Sequence, residues 1–231
     1  MILFAKLPGA KWWTLLTVVA SLAIVVSNAI YFEGGPTPRF LLEKGDWART
    51  PWWLATFYAH IAAASICLLV GTPLMFPRWT SRHRAWHRRL GYVYFNAVLW
   101  VAAPSGLALA MTAKGGLWGT LGFAVAGILW WQSTWAGYQA IRRGDLPAHV
   151  RAMIRSYAWA LSAPAFRVVQ IALFACGLPD QQNYLVSLWL SVAASVWLAE
   201  ACLQRGRAGT IPAARASNSL SLAPEPLRSV L

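Results

Sequence analysis

Four histidines and one deeply placed arginine are the residues of this 231-residue chain whose types and spacing could do chemistry. His60 lies inside an apolar stretch, on a helix face that reads Thr56, His60, Ala63, Ala64, Cys67, Gly71. Small residues along such a stripe let a flat group or a second backbone come close. His83 and His87 are four apart and share a face, and His149 opens the segment His149–Arg167. There His149, Met153, Ser156, Ala160, Ala163, Arg167 and Gln170 recur at helical spacing and form one face. Arg167 falls about midway along an apolar run. A charge near the middle of a bilayer costs at least ~3 kcal/mol on insertion scales, so the expectation is that Arg167 faces the protein interior or a wet cavity.

Imidazoles at membrane depth suit b-type haem. Ligation needs two at similar depth on facing helices, or one with an open axial position. His60 is ~25 Å along its helix from Pro77, at 1.5 Å per residue, so it cannot share an iron with His87 or His149. Two arrangements remain: a five-coordinate haem on His60, or a bis-histidine haem between His87 and His149. A zinc or copper site built from His83, His87 and His149 is not expected, because five arginines nearby would repel a cation. Arg167 stays protonated and needs a partner. The one acid within the apolar runs, Glu200, reads as too shallow to reach it. That leaves a bound anion (a haem propionate, a lipid or quinone head group, an acidic substrate), or capping by helix carbonyls with Gln132, Gln139 or Asn96. No GxSxG, Walker, HExxH or paired-carboxylate pattern is present, so hydrolytic and phosphoryl-transfer catalysis have no support and the reading leans away from an enzyme. Cys67, Cys176 and Cys202 have no CxxC spacing and read as inert thiols.

The elements that must position these residues follow from composition. The chain is 58% hydrophobic and only 12% charged. A soluble domain is typically ~25% charged, so the deficit points to an integral membrane protein. The net charge of +13 sits mostly in short turns and a tail beside apolar runs. There it sets topology and meets anionic lipid, so nucleic acid is not the expected partner. The apolar runs predict an all-α bundle of six transmembrane helices over about 12–32, 52–76, 82–112, 121–141, 148–176 and 184–203. Together they make one domain, 1–207, followed by a disordered cytoplasmic tail, 208–231, rich in Ala, Ser and Pro. The first run is long for a signal peptide and reads as an uncleaved anchor. Ser81 and Asp145 are the expected N-caps of the third and fifth spans. Arg78, Arg82, Arg84, Arg88 and Arg89 occupy one turn; Arg142, Arg143, Arg151 and Arg155 occupy another. The positive-inside rule then puts both termini in the cytoplasm.

Three elements in order, YAHIAAASICLLVGTPLMFPR, HRRLGYVYFNAV and AHVRAMIRSYAWALSAPAFR, resemble a family of bacterial predicted membrane proteins known as domain of unknown function 2306. The likeness covers roughly Trp52 to Arg167. Its marks here are His60, then His87, Arg88, Gly91 and Tyr94, then His149, Met153, Arg155, Ser156, Tyr157 and Arg167; Ala152 stands where the pattern has Trp, and His83 falls outside it. The resemblance implies a multi-pass protein of the bacterial inner membrane and supplies no reaction. The expectation is a membrane protein that binds haem b or takes part in electron transfer through His60, His87, His149 and Arg167. The alternatives are a cofactor-free transporter or proton relay, and a non-catalytic accessory subunit of a larger membrane complex.

Overall fold

Apolar runs punctuated by glycine, proline and basic turns fold here into rods. The computed structural model describes residues 10–33, 37–75 and 82–208, and among these there are helices and no strands. Helix α1 (Ala10–Ala29) is followed by a short α2 (Arg39–Lys44) and a 3-10 turn (Gly45–Arg49). Helix α3 (Pro51–Leu74) starts with proline at its first position, where the missing N–H has no partner to lose. Next come α4 (Arg84–Asn96), a π-helical segment (Ala97–Ala102) and α5 (Ala103–Ala110), which together form one rod. Gly115 and Gly116, both at positive φ, turn the chain into α6 (Gly116–Arg142). Helices α7 (Leu146–Ala160) and α8 (Ser162–Ala175) form a second broken rod, and α9 (Asp180–Ala208) ends the described chain. The expected cap at Asp145 is present: its Oδ1 accepts from the Ala148 N–H at 2.9 Å. Ser81 and the tail beyond 208 lie outside the described residues.

Four stretches are long and apolar enough to cross a membrane: Pro51–Leu74, Arg84–Ala110, Leu146–Ala175 and Asp180–Gln204. Thr14–Ala29 is a shorter apolar helix. Helix α6 has the length, but its Gly, Trp, Ser, Thr and Gln content keeps it outside that set.

Helix α7 is the centre of the bundle. It packs on α3, α6 and α9, and Ile154, Ser156, Tyr157, Ala158, Trp159 and Ala160 are all buried. The last turns of α7, Ser156 to Ala160, are buried on every side, as in a core helix. Glycines on its neighbours admit its large side chains. A Cβ on Gly71 of α3 would lie 2.6 Å from the Tyr157 ring and 3.0 Å from the Tyr94 ring, and one on Gly137 of α6 would lie 2.6 Å from Met153 Sδ.

The rod changes character at Leu161. Its ψ of -7° departs from the α value, and Pro164 has no N–H for the Ala160 carbonyl. Beyond this break α8 packs on α9 and α1 and exposes Val168, Ile171 and Phe174. Both irregular rods have a proline just after the irregularity, Pro104 in one and Pro164 in the other. In the π segment the Ala103 N–H bonds to the Val98 carbonyl, one residue further back than in an α-helix.

Candidate functional site

The polar residues of the interior converge where α4 meets α7. The hydroxyls of Tyr94 and Ser156 are 2.9 Å apart, those of Thr134 and Ser156 2.7 Å apart, and Trp130 Nε1 donates to Tyr94 Oη at 3.1 Å. Thr134 Oγ1 also donates to the Trp130 carbonyl at 2.8 Å. Each hydroxyl has one proton, and that fixes the direction of every bond. Thr134 has spent its proton on a carbonyl, so Ser156 donates to Thr134 and Tyr94 donates to Ser156. The circuit leaves Trp130 at its indole N–H and returns to Trp130 at its main-chain carbonyl. Tyr94, Thr134 and Ser156 are almost wholly buried, so this closed, unidirectional ring satisfies groups that would otherwise be stranded in a dry interior.

A second pair ties α3 to α7. Thr72 Oγ1 donates to the Leu68 carbonyl at 2.7 Å and therefore accepts from Tyr157 Oη at 2.5 Å. Sequence reasoning placed Ser156 on the His149 helix face, marked Tyr94 and Tyr157 only through a resemblance, and missed Trp130, Thr134 and Thr72 as their partners. The available signal was a lone threonine at 72 in an otherwise apolar turn and the polar run Gln132-Ser133-Thr134 in α6.

The ring also sets a register. Rods α4–α5 and α7–α8 are separated by the reversing helix α6, so they run the same way from the arginine-rich end of the bundle. Tyr94 follows His87 by seven residues, and Ser156 follows His149 by seven. Seven residues are about two turns and ~10.5 Å, so each hydroxyl lies over its own histidine on the same helix face. The Tyr94–Ser156 bond therefore sets His87 and His149 level with each other. The two imidazoles interact electrostatically.

Their hydrogen bonding is incomplete in a complementary way. His149 Nδ1 is 2.8 Å from the Gly137 carbonyl, which can only accept, so Nδ1 carries the proton and Nε2 keeps its lone pair. His87 Nδ1 is buried without a partner. Such a nitrogen costs about 1–3 kcal/mol relative to a satisfied one. Groups of three or more metal-ligating side chains are absent among the described residues, so His83 does not join His87 and His149.

His60 belongs elsewhere. Its Nδ1 lies 2.9 Å from the Ala102 carbonyl and 3.3 Å from Ser105 Oγ, in the irregular part of the α4–α5 rod. Ala102 is fifteen residues beyond His87, or ~22 Å along the rod. The ring fits because Gly106 has no side chain: a Cβ there would be 2.9 Å from His60 Cε1. His60 thus supplies a donor to a carbonyl in the π segment.

Arg167 does not face the interior, which corrects the expectation from helical spacing. Ser156 and Ala160 are buried, but Ala163 and Arg167 on the same nominal face are exposed. The break at Leu161 ends the stripe's common environment, because α8 leaves the centre that α7 occupies. Arg167 donates from an Nη to Gln170 Oε1 at 3.1 Å and stands 5.6 Å from the centroid of the Phe166 ring. Glu200 pairs instead with Arg155, at 2.7 Å. Gln132, Gln139 and Asn96 do not reach Arg167; the Asn96 amide bonds to the Tyr92 carbonyl of its own helix.

A bundle of apolar rods around a core helix, with buried hydroxyls and imidazoles level across it, defines a multi-pass helical membrane protein with an internal polar seam. Residues 57–203 match the family described as Predicted membrane protein (DUF2306), and the chain belongs to that family. No curated protein and no solved structure matches the chain.

Proposed function

We propose that this protein holds haem b between His87 and His149 at the cytoplasmic end of a six-span bundle of the bacterial inner membrane, and serves there in electron transfer. In this reading both termini are cytoplasmic, residues 1–207 form the spanning domain and 208–231 a tail. The observation that carries it is the pair of level imidazoles, one with a free Nε2 and the other with a buried, unpartnered Nδ1. A ligating histidine typically donates its other ring N–H to a carbonyl, which fixes ring orientation and raises ligand basicity, and His149 does so with Gly137. The chemistry of the donor set supports the reading. The orphaned nitrogen of His87 would gain a ligand bond, and Arg84, Arg88, Arg142, Arg143 and Arg151 around this end would meet the propionate carboxylates. Bis-imidazole haem supplies one-electron chemistry between ferrous and ferric iron. The hydroxyl ring behind the pair holds the two helices in register, and its buried side chains exclude water from that side.

A relay through His60 and Arg167 has less support, because Arg167 is exposed and the hydroxyl ring returns to the residue from which it starts. The test is the visible spectrum of the purified protein, reduced minus oxidised. The wild type should show a Soret band, as should His60→Ala, while His87→Ala and His149→Ala should each lose it. No band in the wild type, even after haem is added, would remove the reading.

A further inference from the structure

Apart from its bond to Gln170, the Arg167 guanidinium has no acceptor among the described residues, although the group carries five N–H donors. Its helix face continues through Ile171 and Phe174, which are 70% and 75% exposed, so the charge sits in a stripe that faces outward among apolar side chains. Other cations at the end of the bundle opposite the arginine-rich turns have carboxylates: Arg39 has Glu43, Arg49 has Asp46 and Lys114 has Asp180. Lys44 donates to the Thr112 carbonyl at 2.5 Å. Arg167 is left with a positive charge in the hydrocarbon-facing surface and most of its donors unused.

Its depth lets it reach a head group. Arg167 is eight residues before Ala175, or ~12 Å below that end of α8, and a long side chain extends towards the interface while its stem stays in the apolar layer. Two phenols mark the level it reaches. Tyr31, just past α1, and Tyr184, in the second turn of α9, are both within electrostatic range of the guanidinium. Phe166 stacks edge-to-face on Tyr184, with ring centroids 5.4 Å apart. The tyrosines and the arginine offer two kinds of donor, phenol and guanidinium, and the one carboxylate in range of Tyr31, Glu43, is already paired with Arg39.

We propose that Arg167, on the exposed face of α8 with Tyr31 and Tyr184 nearby, binds the phosphodiester of an anionic phospholipid in the leaflet opposite the basic turns. A phosphodiester accepts several N–H bonds from one guanidinium, and a glycerol head group brings no amine of its own to compete. Its acyl chains would run along Ile171 and Phe174. This site is independent of the haem reading and shares no residue with it.

Native mass spectrometry of the detergent-solubilised full chain tests it, with phosphatidylglycerol or phosphatidylcholine added. Wild type should retain phosphatidylglycerol about fivefold better than Arg167→Gln, the factor for one basic residue at a lipid surface. Arg167→Lys should recover part of the difference, and phosphatidylcholine retention should be the same in all three. Equal thermal midpoints for the variants would show that the loss is local. Equal phosphatidylglycerol retention in wild type and Arg167→Gln would overturn the proposal. So would displacement of the lipid by excess inorganic phosphate, which would mark a site for soluble anions. A lipid-free dimer that Arg167→Gln dissociates would also overturn it, since a second copy would then be the occupant.

Discussion

Tyr94 and Ser156, 62 residues apart in the chain, share a 2.9 Å hydrogen bond, and each stands seven residues after a histidine. One bond thus joins two stretches that had no evident connection in the sequence and aligns the imidazoles at their starts. The ring through Trp130 and Thr134 makes that alignment rigid. Each member donates to the next, so loss of one reorients or strands the others.

Removing the Tyr94 hydroxyl tests the ring. Tyr94→Phe strands the Trp130 indole N–H and leaves Ser156 without its donor, for a loss of about 1–3 kcal/mol. Ser156→Ala should cost a similar amount. The double variant should cost clearly less than the sum, because the second change removes a group already unpaired. Denaturant titration of the detergent-solubilised protein reads all three. Strict additivity would mean that the hydroxyls do not act together.

Register is separable from chemistry. One alanine inserted between Arg89 and Gly91 leaves every side chain in place but turns His87 by about 100° relative to Tyr94. If the level imidazoles hold a cofactor, the insertion should abolish the Soret band as fully as His87→Ala. A compensating one-residue deletion between Tyr94 and Asn96 should not restore it, because the His87-to-Tyr94 spacing remains wrong. A normal spectrum after the insertion would show that the spacing is immaterial.

Two glycines on neighbouring elements make opposite forecasts. A Cβ on Gly71 would lie 2.6 Å from the Tyr157 ring, whereas one on Gly91 meets nothing within 4 Å. Gly71→Ala should therefore destabilise by about 1–3 kcal/mol through overpacking. Gly91→Ala should be neutral or stabilise slightly, by up to ~1 kcal/mol from helix propensity. Thermal midpoints of the two variants, side by side, decide whether the tyrosine rings fill the space against α3.

Lys44 gives a pH dependence. Burial holds its ammonium below the ordinary lysine pKa, against an opposing pull from Glu43, and Lys114 adds to the lowering. The unfolded chain then binds the proton more tightly than the folded one. Stability should rise with pH from the lowered folded value up to the ordinary value of 10.5. Lys44→Met should flatten that slope when thermal midpoints are compared across the alkaline range. An unchanged slope would place its cause in another group.

The helical class and the positions of most rods were legible in the sequence, because charge depletion and turn residues act locally. The same holds for the cap at Asp145, a short-range signal. The depth separation of His60 from His87 also held, since rise per residue converts position to distance. Arg167 was not legible. Helical spacing put it on the face of Ser156, but a face has meaning only while neighbours surround it, and α8 has left them behind. The π segment was signalled by Pro104 alone, and the reach of His60 to Ala102 depends on a gap at Gly106 that no local rule reports. The ring required the relative placement of three helices, which sequence periodicity within one helix does not contain.

The break at Leu161 divides one rod between two solvents. The last turns before it are enclosed by protein, where the neighbours are fixed by the chain itself. The half after it packs on α9 and α1 along one side and turns Val168, Ile171 and Phe174 outward, toward lipid whose thickness and head groups change with growth conditions. A thinner or thicker bilayer would therefore tilt α8 about Leu161 and leave the aligned histidines on the α7 side undisturbed.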